Sequence, residues 1–118
     1  MSTQPDHGAE LVSRPERTPD AVRVALARIA PHRLDEMEKH KEEALAAAIR
    51  TRKIGHLQHW LTHWSAQVEI ERRPHLSARR SRALATIHGT AGKDDPAFRS
   101  AMAELRAVED AATQAVSE

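Results

Sequence analysis

Proline falls at intervals that divide this chain into short segments, none longer than about forty residues. An interior proline removes a helical hydrogen bond and clashes with the preceding turn, so helices stop before it or start at it. Thr18-Pro19-Asp20 reads as a helix start: a capping hydroxyl, a proline at the first position and an acid at the positive end. Pro31 ends or redirects that helix, Pro74 stops a later one, and Asp95-Pro96 repeats the start signal. Aromatic residues make up only 3% of the chain, namely Trp60, Trp64 and Phe98. The core must therefore come from Ala, Leu, Val, Ile and Met, which favours close helix packing over sheets.

Between these marks the apolar residues recur at helical spacing. Val22, Leu26 and Ile29 form one stripe. The segment after Pro31 predicts a long helix with Leu34, Met37, Ala44, Leu45, Ala48 and Ile49 on one face, closed by Gly55 as a left-handed residue. A third helix runs from there to about Arg72, although "QVEIE" (67–71) alternates as a strand would. Leu76, Ala83, Leu84 and Ile87 mark a fourth, closed by Gly89. Phe98, Met102, Leu105, Ala112 and Val116 mark a fifth. The expectation is an all-α bundle of about five helices over 18–118, preceded by a disordered arm over 1–17.

With no cysteine, the chain has no disulfide, thiolate ligand or thiol nucleophile. The longest apolar run, Ala44–Ile49, is far short of the roughly 20 residues a membrane span needs. The first twenty residues hold no apolar core of a signal peptide, so the expected location is cytoplasmic, with no membrane partner. No serine elbow, HExxH or pair of carboxylates in an apolar setting is evident, and the expectation is a protein that is not an enzyme and takes no cofactor.

Two stretches stand out. "GHLQHWLTHW" (55–64) carries three of the eight histidines and both tryptophans. On a helical wheel His56, His59 and His63 fall within about 60° of arc. His59 and His63 have the i, i+4 spacing by which two imidazoles share a metal. A third ligand would have to come from elsewhere, with His40, His75 and His88 as the available donors. Leu57, Leu61 and Trp64 form the apolar stripe, and Trp60 falls at its edge, where an exposed Trp would make a contact residue. The histidines read first as a polar margin and only second as a metal site. The other stretch is "RRPHLSARRSR". Residues 72–93 hold Arg72, Arg73, Arg79, Arg80, Arg82 and Lys93 with no acid. Such a patch suits phosphates or an acidic protein face, but the acidic fifth helix, with Glu104, Glu109 and Asp110, offers an internal partner.

The order "TPDAVRVALARIAPHRLDEMEKHKEEAL", then "HLQHWLTHWSAQVEIERRPHLSARR", resembles a family of small helical actinobacterial proteins of unknown function. That family shows an "RTP-x-A-[VIL]-R-x-A" start, here Arg17–Ala25. A charged helix follows, then a Leu- and Trp-bearing segment that runs into "V-x-I-x-R-x-P", here Val68, Ile70, Arg72 and Pro74. The resemblance covers roughly residues 15–85. It places His56, His59 and His63 in variable slots. Genes of the family often neighbour small ribonuclease-type toxins, which implies an antitoxin-like or accessory role with a small toxin as partner. Three functions are thus expected in order: a protein-interaction module, a nucleic-acid-binding regulator using the arginine segment, and a histidine-rich metal-binding protein.

Overall fold

A computed structural model describes residues 11–118. It is all-α, with no strand among the described residues. Helix α1 spans Pro19–Ile29 and is followed by one 3-10 turn, Pro31–Arg33. Then come α2 (Leu34–Thr51), α3 (Gly55–Arg72), α4 (Pro74–Gly89) and α5 (Pro96–Ser117). The proline marks hold. The Thr18 hydroxyl accepts from Ala21 N–H, the Asp95 carboxylate accepts from Ala97 N–H, and Pro19, Pro74 and Pro96 sit in first turns. The segment 67–71 is helical and belongs to α3.

Helix α3 touches each of the other four. One face of it, Trp60, Trp64 and Val68, packs with α1 and α2 around Val22, Leu26 and Met37. Another face, Ala66 and Ile70, packs with α4 and α5 around Leu76, Val108, Ala112 and Val116. From Trp64 to Ile70 every residue is buried, so this stretch faces protein on all sides. Enclosing it also buries Ser65, Gln67, Glu69 and Arg72, whose polar groups need partners.

Three expectations are corrected here. First, the arm does not reach residue 17. Residues 11–17 lie along the helices, while 1–10 fall outside the described residues. Leu11 N–H donates to Arg72 O at 2.8 Å, Val12 packs on the first cluster, and Arg14 reaches Glu69. Second, the left-handed residue that ends α2 is Arg52, at φ 59°, and Gly55 instead opens α3. The turn therefore comes three residues earlier than the glycine indicated. Third, α2 turns only Met37 fully inward. Its seam against α3 runs through Leu34, Met37 and Ala44, while Leu45 and Ile49 face out, 48% and 71% exposed. On an ideal wheel these two lie roughly 80–140° away from Met37 and Ala44, too far to share their contact.

Glu69 ties the pieces together. Its carboxylate, 1% exposed, pairs with Arg14 from the N-terminal strap at 2.9 Å, with Arg72 at 2.8 Å and with Arg73 at 2.6 Å. The Arg73 contact is close but off line for a hydrogen bond, since its Nε has no hydrogen-bond partner. Burial alone would raise the Glu69 pKa. The hydrogen bonds from Arg14 and Arg72 and the charges of Arg72 and Arg73 outweigh it and pull the group down to about 2. A carboxyl bound more tightly as an anion in the folded state contributes stability that is full above its unfolded pKa, near 4.5, and is lost as pH falls towards 2. Glu69→Gln should cost about 3–5 kcal/mol, because it strands a buried guanidinium. It should also flatten the loss of stability between pH 4.5 and 2. Urea unfolding at a series of pH values checks both.

Candidate functional site

The histidines of α3 do gather at one place. A cleft of about 470 Å³ lies between α2 and α3, lined by His40, Glu43, His56, His59, Trp60 and His63 among others. Helical spacing puts His56, His59 and His63 on one edge of α3, and His40 and Glu43 face them from α2. The His40 and His63 rings stand 6.2 Å apart, and His63 meets the Trp64 ring edge-on at 5.4 Å. Among the described residues no three His, Cys, Asp or Glu side chains form a group that could hold a metal ion. His75 and His88, the other candidate donors, lie on α4 and take no part in the cleft.

Trp60 is the clearest correction in this region. It is only 5% exposed, and its indole N–H donates to Met37 O at 3.2 Å. It is a buried tie between α3 and α2 and offers a partner almost no surface. Trp64 is fully buried, as expected, beneath the Arg33 guanidinium at 5.0 Å from its ring. Leu57 and Leu61 are only half-buried, so the most deeply packed side of α3 at this level runs through the two tryptophans.

The arginine segment does not form an open patch either. Arg72 is buried against Glu69, which removes it as a contact residue. Arg73 shares that carboxylate. Arg79 grips Glu104 with two hydrogen bonds of 2.7 and 2.9 Å, and holds that carboxyl below its usual range. Arg80 lies 3.8 Å from Glu71, which also takes a hydrogen bond from Arg33 at 3.0 Å. Arg82 is exposed and makes no ion pair among the described residues. Four of the five guanidiniums expected to meet phosphates are thus turned to carboxylates of α3 and α5. The acidic fifth helix does supply a partner, through Glu104. Glu69 and Glu71, the only acids between residues 54 and 71, supply the others.

A third feature is the end of the α2–α3 hairpin. Leu45, Ile49 and Ile54 are among the most exposed large apolar side chains of the described residues, Ile54 at 66%. Beside them runs a groove of about 340 Å³ lined by Pro19, Lys41, Leu45, Ile54, Leu57 and Leu61, with Trp60 at its floor. Sequence reasoning assigned Leu45 to the core. The cue that points elsewhere is the run of small residues Ala46, Ala47 and Ala48 around it, which gives that half of α2 little bulk to bury.

Compared with known protein families, curated proteins and solved structures, the chain matches none.

His63 supplies a readout for the cleft. Burial lowers its pKa below 6.5, and His40, His59 and Arg33 push the same way against the opposing charge of Glu109. A histidine held neutral in the fold gives stability that is present above its unfolded pKa and lost as pH drops below about 6.5. An NMR titration is expected to show the His63 ring protonating at lower pH than a free imidazole. His63→Gln should remove that part of the acid sensitivity while leaving the Glu69 transition below pH 4.5 in place.

Proposed function

We propose that this chain is a non-enzymatic, cytoplasmic protein-interaction module, and that its docking face is the apolar end of the α2–α3 hairpin. The supporting observation is the exposure of Leu45 and Ile49, one turn apart on α2, next to Ile54 and an apolar groove. Large apolar side chains grouped on a surface mark a place where water is displaced by a partner. Helix-in-groove recognition commonly uses anchors at this i, i+4 spacing. The internal pairing of Arg72, Arg73, Arg79 and Arg80 speaks against the nucleic-acid reading, since each would first have to leave a carboxylate. An antitoxin-like role, with a small toxin as the protein held, follows from the sequence resemblance and fits a module of this kind.

Affinity capture from the native host tests the reading. The wild-type chain is expected to retain one defined protein in near-stoichiometric amount, and Ile49→Asp to lose it while keeping its helical circular dichroism. Equal capture by both forms would sink the assignment of the face, and no specific capture, either of another protein or of the host's own copy of the chain, would sink the module itself.

A further inference from the structure

The outer face of α2 carries a pattern that selects its own occupant. Glu42, Leu45 and Ile49 follow one another on α2 at spacings of three and four, the a/d spacing of a coiled-coil seam, and the left-handed Arg52 extends the line just past the last turn. All four are exposed, and neither Glu42 nor Arg52 makes an ion pair among the described residues. The seam is acidic at its N-terminal end, apolar in the middle and basic at its C-terminal end.

We propose that a second copy of this chain covers this face, with the two α2 helices packed antiparallel about a two-fold axis near Ala47. This rests on the docking face assigned above and names its partner. With that axis Leu45 of each copy meets Ile49 of the other, and Glu42 of each copy meets Arg52 of the other. An isologous contact makes every pair twice, so one apolar pair and one ion pair become four interactions. Parallel packing would set Glu42 against Glu42 and Arg52 against Arg52, and like charges reject that alignment. Ala46 and Ala48 flank the seam and let the two backbones approach. The groove beside Leu45, with Ile54 on its rim, borders the same face and is narrowed by the incoming helix.

Sedimentation equilibrium of the full chain, up to about 1 mM so that even weak association registers, gives the decisive test. The wild type is expected to dimerise with concentration, and Ile49→Asp to stay monomeric with unchanged helicity. Glu42→Arg and Arg52→Glu should each weaken the dimer by about tenfold, and the two changes together should restore it. A monomeric wild type, a dimer indifferent to Ile49→Asp, or a double exchange no better than the single changes overturns the proposal. A monomeric chain whose Ile49→Asp form still loses its captured host protein would discard the self-pairing and keep the interaction face.

Discussion

The carboxylate of Glu69 is a charge enclosed by protein, and the fold is arranged so that it is never alone. An isolated carboxylate at that depth is prohibitively costly. Here guanidiniums arrive from three places: the N-terminal strap, the last turn of α3 and the junction with α4. The burial follows from the position of α3. A helix that touches four others has no outer side left from Trp64 to Ile70, so the polar residues of that stretch must be paired within the protein. Gln67 meets this demand only in part. Its amide donates to Glu109, while its own carbonyl oxygen has no partner among the described residues.

The same centrality explains the open end of the molecule. The two core clusters draw on different faces of α3, and α2 contributes to one of them alone. Past His40 its half-buried positions are alanines, so the second half of α2 lies against α3 along a thin seam. Large apolar residues placed there, Leu45 and Ile49, gain nothing from the protein's own interior. The surface is a product of how the bundle is filled.

Much of the architecture was legible because its signals are local. Proline, capping side chains and apolar spacing act within a few residues, and the element order and both side-chain caps follow from them. The errors share a different origin. A helical wheel assumes one buried side, and α3 has more than one, so Trp60 was placed at a margin that the structure closes with Met37. The arginines were misjudged because their partners are set by topology. Arg79 finds Glu104 25 positions away and Arg14 finds Glu69 55 positions away, distances at which spacing along the chain carries no information. Helical spacing groups the α3 histidines on one edge, but the cleft that contains them needs α2 opposite, and spacing alone makes His40 only one donor among several.

Arg17 links both ends of the described chain. One of its nitrogens donates to Thr62 on α3 at 2.9 Å and another to the carbonyl of Val116 near the end of α5 at 3.3 Å. Helix ends ordinarily fray by themselves, at little free-energy cost. Here the last turn of α5 is latched to the residue that precedes α1, and the strap on the other side of that residue is latched to Glu69. Loosening either end therefore releases a clasp on the other, and terminal motion in this bundle is shared by residues nearly a hundred positions apart.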